Sequence, residues 1–455
     1  MKALMIAALA SAVFMSAAPV RAAEGVDNAA GGLTAVNTAG QSSPAAQAGQ
    51  PRRLRLAELL EEAEGANPSL AAMKSRYLAA RERIAPAGAL EDPMFGIGAV
   101  NVPVESFSFR EEEMTGKMVE FSQMLPFPGK RALKREIARE ESNALEGEYL
   151  EDALMLREKV KMAFFELYSI GKRLEVIERS TGLLESLQKI AEARYSVGTG
   201  MLKEVIKAQL ERSMLLDKKL MLEKEARTKR AYLGSLLGRG VPVEGAAEDI
   251  APTKVDMDVE TLKGLAGSKP RIASADARIR KAEAMAKMAR KEYLPDFTLS
   301  ANYMQRDTLK GGMEQSDMFS AVVSVNLPVW RKSKLDPAVR EAALERDMAV
   351  SEKESAKTEL YYKVESLMGE IGQTDRLMKL YRDVIIPQAN EDINAGLAGY
   401  EVGKTEYMSL LDSIRGLFDY QAGYYNALAE REKAVAELET TVGMEFTTGV
   451  DGREK

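Results

Sequence analysis

Histidine and cysteine are both absent from this chain of 455 residues, and tryptophan occurs once. Without cysteine no disulfide can form, and no lipid can be attached through an N-terminal thioether. Without either residue, thiolate and imidazole metal sites are excluded, which leaves carboxylates, amides and methionine sulfur as donors. Nucleophilic catalysis through Cys–His or Ser–His–Asp is excluded with them, because the base is missing. A basic surplus is lacking too: 63 Lys and Arg stand against 69 Asp and Glu, whereas a nucleic-acid partner normally demands a basic footprint. No catalytic residue, cofactor or nucleic-acid contact is therefore expected. Long apolar runs are the last absence. Beyond the N-terminus no stretch approaches the ~18 consecutive apolar residues of a transmembrane helix, so a bilayer could be crossed only by strands.

The N-terminus differs in kind. Lys2 opens it, Ala3 to Ala18 are almost entirely apolar, and Val20-Arg21-Ala22 offers a small-residue cleavage site. Residues 1–22 therefore read as a secretory signal; the apolar stretch is short for a span, which needs ~20 residues. Cleavage removes two of the 63 basic residues, Lys2 and Arg21, leaving 61 against 69 acidic and a net charge of −8. Residues 23–52, mostly Ala, Gly, Ser, Thr, Asn and Gln, read as a flexible leader, and 446–455 as a C-terminal tail.

Between these ends the chain says the same thing twice. Ala193-Arg194-Tyr195-Ser196-Val197-Gly198-Thr199 returns 205 residues later as Ala398-Gly399-Tyr400-Glu401-Val402-Gly403-Lys404. Leu125-Pro126-Phe127-Pro128 returns as Leu327-Pro328-Val329-Trp330, and Asn67-Pro68-Ser69-Leu70 as Lys269-Pro270-Arg271-Ile272, both after 202 residues. Landmarks in one order at nearly constant spacing mark a tandem duplication. The first repeat, 53–258, runs helix, β-hairpin 94–125, long helical hairpin 130–240 and connector. The second, 259–445, runs helix, β-hairpin 297–327 and helical hairpin 337–442.

The helices carry heptad spacing. Tyr149, Ala153, Leu156, Val160, Ala163, Leu167, Ile170, Leu174, Ile177, Thr181 and Leu184 alternate steps of four and three, which predicts a left-handed coiled coil with a narrow seam. From Ala132 to Tyr195 such a helix would be ~95 Å long. Val197-Gly198-Thr199-Gly200 then suits a tight reversal, after which the expected stripe is Leu202, Ile206, Gln209, Ser213, Leu216 and Leu220. An equivalent antiparallel pair should turn at Gly403.

The strands are more diagnostic. Phe297, Leu299, Ala301 and Tyr303 alternate with Thr298, Ser300 and Asn302; Phe319, Ala321, Val323, Val325 and Leu327 alternate with Ser320, Val322, Ser324 and Asn326. In the first repeat Phe95, Ile97 and Ala99 share a face, and Val119, Phe121 and Leu125 oppose Glu120, Ser122 and Met124. Such alternation suits a sheet packed on a core or a membrane barrel. The export signal, and the lack of a compact globular part for the sheet to cover, favour the barrel. Four strands cannot close, and an open edge cannot sit in lipid, so copies must assemble. Two would give eight strands filled by side chains; three would give twelve and leave a lumen, which suits a conduit.

At this point the chain resembles the outer membrane efflux protein family, the TolC-like export ducts, over about residues 54–443. The resemblance rests on Leu56–Leu70, Glu91-Asp92-Pro93, the exit Phe121-Ser122-Gln123-Met124-Leu125-Pro126-Phe127-Pro128-Gly129-Lys130, the tips Tyr195–Thr199 and Tyr400–Lys404, and Tyr407–Asp412. It implies a homotrimer in the outer membrane of a Gram-negative bacterium: a twelve-stranded transmembrane β-barrel continued by a periplasmic α-barrel of long antiparallel coiled-coil helices. It implies as partners a periplasmic adaptor (membrane fusion) protein, an inner-membrane resistance-nodulation-division pump and outer-membrane lipid. The segment Asn101-Val102-Pro103-Val104-Glu105-Ser106-Phe107-Ser108-Phe109 is most similar to the heavy-metal cation branch. Multidrug efflux or type I protein secretion would use the same duct; a periplasmic coiled-coil scaffold would not need the hairpins.

The resemblance also assigns residues. Val197, Gly198, Thr199, Val402, Gly403 and Lys404 match the helix tips that dock the adaptor, with Lys404 standing where the first tip has Thr. Glu204 and Asp412 match acidic residues lining the periplasmic constriction, where threefold symmetry would gather cations. Ser409 and Thr405 stand where the family often has a second Asp and a gate-linking Arg, so the gating network should be thinner. No metal site is expected: of the 24 methionines Met1, Met5 and Met15 leave with the signal and most of the rest sit in helices as fillers, and Glu111-Glu112-Glu113 reads as a solvated outer rim.

Overall fold

The computed structural model describes residues 53–446; the expected signal and leader, and residues 447–455 of the expected tail, lie outside the described residues. The first half runs β1 (Arg53–Leu54), α1 (Leu56–Ala66), α2 (Pro68–Glu82), α3 (Ile84–Ala87), β2 (Met94–Val100), β3 (Gly116–Leu125), α4 (Lys130–Ser196), α5 (Leu202–Leu236) and β4 (Ala246–Ala247). The second runs α6 (Val259–Ala266), α7 (Pro270–Lys291), β5 (Phe297–Gln305), β6 (Met318–Val325), α8 (Asp336–Leu380), α9 (Ile386–Glu401) and α10 (Tyr407–Val442). Two π-helical turns, Arg331–Leu335 and Tyr381–Ile385, precede α8 and α9. The second is a departure from the uninterrupted helix expected up to the tip. Pro387 supplies no N–H, so a carbonyl one turn earlier loses its partner and the ladder widens there.

Each half starts its second helix with proline, whose missing N–H costs nothing at that position. Asn67 caps α2, accepting from the Leu70 N–H at 3.0 Å, while its Nδ2 donates to the buried Leu236 carbonyl at 2.8 Å. Lys269, in the equivalent place, is buried; its Nζ lies 2.7 Å from Glu151 and donates to the Thr440 carbonyl at 3.1 Å. Both residues thus stitch a helix start to a distant long helix. The connector is held in the same way: Thr253 donates to Glu432 through its N–H (3.1 Å) and hydroxyl (2.6 Å), and its carbonyl accepts from Arg431 at 2.7 Å.

Four strands form one antiparallel sheet in the order β2-β3-β5-β6. The central pairing, β3 with β5, joins the two repeats. Register aligns the alternation expected from sequence: Phe95, Phe121, Ala301 and Ala321 lie in one cross-strand row, and Ile97, Val119, Tyr303 and Phe319 in another. The intervening row Gly96, Glu120, Asn302 and Ser320 belongs to the other face. The apolar face is bare, with Phe95, Ile97 and Phe319 at 70%, 78% and 66% exposure. Strands β2 and β6 present unpaired edges. The loops beyond the strands interlock through Lys310 N–H to the Arg110 carbonyl (2.9 Å) and Arg110 Nε to the Thr308 carbonyl (3.0 Å). Glu111 is exposed, as expected of a rim residue, but it is paired: Lys310, with Ser106, holds its carboxyl below the usual range.

α4 is ~100 Å long, from 67 residues at 1.5 Å each. Its expected seam is buried from Leu156 to Leu184 except at half-buried Leu174 and Thr181, but so are Phe164, Phe165, Tyr168, Val176, Leu187 and Ala191. The seam is broad because α4 packs on α5, α7 and α10 at once. The stripe expected on α5 needs a larger correction. Leu202, Ile206, Gln209, Ser213, Leu216 and Leu220 are exposed, and Val205, Ala208, Glu211, Leu215, Leu222 and Ala226 are buried instead. α5 carries apolar residues on two faces, and small Ala208 allows the close approach that the bulkier stripe does not. Tip-proximal parts of α4, α5, α9 and α10 share one core, including Leu187, Val205, Tyr400 and Leu411.

Where helices meet sheet, one cluster binds the repeats. Lys130, 2% exposed, places Nζ 2.9 Å from Asp296, which also accepts from the Phe127 N–H at 2.7 Å. Removing one partner strands a buried charge. Lys130→Met should therefore cost about 3 kcal/mol, read as a lowered unfolding temperature in detergent. Adding Asp296→Asn should return part of that loss; equal melting of wild type and Lys130→Met would show that the pair does not hold the repeats.

Candidate functional site

Both long helices end at a glycine that must be left-handed. Gly198 has φ +78° and Gly403 φ +73°, a region costly for side-chain-bearing residues. The two reversals share a hydrogen-bond pattern. The Arg194 carbonyl accepts from Thr199 (2.9 Å) and Gly200 (3.0 Å) N–H groups, and the Gly399 carbonyl from those of Lys404 (2.8 Å) and Thr405 (3.2 Å). These bonds satisfy terminal carbonyls that no further helix would reach. The first and last residues of each turn approach so closely that only one can carry a side chain. A Cβ at Gly200 would lie 2.9 Å from the Arg194 Cβ, and one at Gly399 would lie 2.2 Å from the Thr405 hydroxyl. The tips have made opposite choices, Arg194 with Gly200 and Gly399 with Thr405. Thr405 is thus spent on the turn rather than standing on the face of Asp412.

Val197 and Val402, 72% and 68% exposed, stand beside these glycines, with exposed Thr199 and Lys404 after them. Apolar side chains at such exposure invite a cover. The freed Arg194 side chain crosses to the second tip, where it donates to the Tyr400 carbonyl and lies 4.6 Å from the Tyr400 ring centroid. The Tyr400 hydroxyl in turn donates to Glu204 Oε2 at 2.9 Å. Burial, then Glu204, pushes the Tyr400 hydroxyl pKa up, which keeps it a donor.

Glu204 is therefore not a free carboxylate. It is half-buried in the first turn of α5, accepts from Tyr400 and from the Met201 N–H at 3.4 Å, and ties one tip to the other. Asp412 is different: its side chain is 66% exposed, off the buried face of α10 that carries Leu411 and Phe418, with Ser409 exposed one turn earlier. Arg415, 3.0 Å away, holds it from the next turn and also binds Glu211, which is 5% exposed, through Nε at 2.8 Å. Tyr407 lies in the same core, its hydroxyl pushed up to about 12 by burial and by the charges of Glu204 and Glu211.

Sequence reasoning missed Arg194, Tyr400, Glu211 and Arg415. A signal existed for Arg194: it and Gly200 both differ from their counterparts in the second tip, a paired exchange that marks contact. Glu211 and Arg415 had none, since they meet only through packing of α5 on α10. Among the described residues no group of three or more Asp and Glu side chains is placed to hold a metal ion, and no helix is long and apolar enough to cross a membrane.

Comparison with known proteins agrees with this architecture. Residues 59–239 and 262–444, one stretch in each repeat, match the family described as outer membrane efflux protein. The cobalt-zinc-cadmium resistance protein CzcC of Cupriavidus metallidurans is 22% identical over 63% of this chain and 68% of its own. The outer membrane protein TolC of Vibrio cholerae is 21% identical over 85% and 90%. Among solved structures, CusC superposes with a TM-score of 0.74 at 15% identity, covering 89% of this chain and 96% of its own. VceC of Vibrio cholerae gives 0.72 at 19%, covering 86% and 97%. With the family's pattern matched over residues 59–239 and 262–444, and the fold shared over 89% of the chain, the chain belongs to the outer membrane efflux protein family and is an outer-membrane efflux channel.

Proposed function

We propose that three copies close into a twelve-stranded barrel and a helical tunnel, forming the passive exit duct of a tripartite efflux system with a periplasmic adaptor and an inner-membrane resistance-nodulation-division pump. The four-stranded sheet carries this reading. One face is apolar from edge to edge, and both edges are open, so it can sit in lipid only after closure with other copies. Heavy-metal cations are the proposed cargo, supported by the likeness to a cobalt-zinc-cadmium resistance protein. Deleting the gene should sensitise cells to zinc, cobalt or cadmium and leave bile-salt and dye tolerance near normal. The reverse pattern would assign the duct to drugs.

In this assembly Asp412 lines the periplasmic constriction, while Glu204 works as a clasp between tips. The two should separate in planar bilayers. Asp412→Ala removes three carboxylates from the throat and should weaken block by divalent cations added from the periplasmic side. Glu204→Ala frees the Tyr400 hydroxyl and should raise mean conductance while leaving divalent block largely in place. Equal effects would show that both residues line the pore in the same way, and the absence of any conductance would remove the duct.

Val197, Gly198, Thr199, Val402, Gly403 and Lys404 form the proposed adaptor seat. Gly198→Glu places a charged side chain at a left-handed position and beside an apolar docking surface. The strain should cost about 1–2 kcal/mol, small for a large assembly. Expression, oligomer and membrane insertion should stay near normal while efflux-dependent resistance is lost. Full resistance would move the adaptor off the tips, and loss of the oligomer would make Gly198 structural.

A further inference from the structure

The duplication leaves one half covered and its twin bare. In the first half the segment leaving the hairpin lies against the second half, with Lys130 buried on Asp296 and the Phe127 N–H on the same carboxylate. The twin segment is less covered: the Asn326 N–H donates to the Asp296 carbonyl at 3.2 Å at its start and Arg331 lies 5.8 Å from the Tyr293 ring centroid, but the apolar side chains between them are bare. Leu327, Val329 and Trp330 are 73%, 67% and 72% exposed. Lys332 is exposed and, among the described residues, has no hydrogen bond or ion pair. Asp92, which precedes the opposite edge strand β2, is exposed and unpaired in the same sense.

Observed pairings fix which residues are twins. Leu125-Pro126 matches Leu327-Pro328, so Phe121 matches Val323 and Lys130 matches Lys332. Phe121 pairs with Phe95, and Val323 with Leu299, which makes Phe95 the twin of Leu299. The same step makes Asp92 the twin of Asp296. The two unpaired charges at the outer edges are therefore the counterparts of the pair buried between the repeats. Within the chain Gln123 lies opposite Leu299 and Ser122 opposite Ser300. Moved to the outer edges, these become Val325 opposite Phe95 and Ser324 opposite Gly96.

We propose that β6 of one copy pairs antiparallel with β2 of the next copy in this register, locked by Lys332 of the first against Asp92 of the next. The proposal rests on the assembly proposed above and specifies its seam. The register sets Val325, Val323 and Ala321 beside Phe95, Ile97 and Ala99 of the next copy, so the apolar face continues without a break. A one-residue slip would turn one strand's apolar side chains to the wrong face. Each copy offers β6 with a positive charge at one edge and β2 with a negative charge at the other. Such a head-to-tail contact repeats around a ring until it closes.

Because the chain lacks cysteine, paired cysteines report on the seam without background. The full-length protein carrying Ser324→Cys and Gly96→Cys would be oxidised in the membrane and run on a non-reducing gel. A cysteine fits at Gly96, where a Cβ meets only the Glu120 Cβ at 3.8 Å. Covalent dimers and trimers should dominate. Ser122→Cys with Ser300→Cys, facing each other inside one chain, should link without change of mass. Stronger linkage of Ser324→Cys to Gly98→Cys or Met94→Cys than to Gly96→Cys would overturn the register. Light scattering in detergent counts copies independently: a trimer without the Gly96 link rejects this seam and leaves the assembly standing, whereas a monomer rejects both. Asp92→Lys should lower the temperature at which the oligomer dissociates, and adding Lys332→Asp should restore at least half of that loss. Absence of any restoration would overturn the ion pair.

Discussion

An unpaired strand edge has no acceptable end in hydrocarbon, because each bare N–H and C=O costs several kcal/mol where no water can reach it. The sheet of this chain meets that constraint halfway. Pairing of β3 with β5 satisfies the inner edges of both hairpins, and leaves β2 and β6 open. Neighbouring features share the condition. The apolar sheet face, the segment around Trp330 and the outward stripe on α5 are all exposed in one copy. A sheet of this kind has its ends unfinished, and the proposed closure with other copies would complete them.

On the proposed assembly, a duplicated half would let one chain supply four strands of the ring. The contact between the two halves, with Lys130 and Asp296 at its centre, is an intramolecular counterpart of the proposed outer seam. Repeats nevertheless diverge where single copies of a residue suffice. At the tips the close approach inside each turn permits one side chain only, and the two halves resolved it oppositely. The result gives the first tip a long cation, Arg194, that reaches the second. Two similar turns have thereby become one coupled structure.

Three carboxylates near the tips show how packing assigns roles that composition cannot. Glu211 is buried and neutralised by Arg415, Glu204 is half-buried and engaged with a tyrosine hydroxyl, and Asp412 stands exposed with one flank held by the same arginine. Only a charge left facing open space can raise local cation concentration; a carboxylate already compensated contributes cohesion instead. The periplasmic end thus combines a cross-tip clasp with a sparse acidic face.

Much of the fold was legible in the sequence, because strand alternation, heptad spacing, helix-starting prolines and turn glycines are local properties. The two hairpins and the glycine-led reversals at Gly198 and Gly403 lie where those local signals put them. The α5 stripe was misread because both its apolar faces fit a heptad, and only the identity of the neighbouring helix selects between them. The site was less legible. Glycine at the turns follows from backbone geometry alone, but whether Glu204 faces open space or Tyr400 depends on a residue 196 positions away. Sequence by itself determined which segments would be strands, rods and reversals. The tertiary structure decided which charges are neutralised, because that depends on approach across helices that no spacing along the chain records.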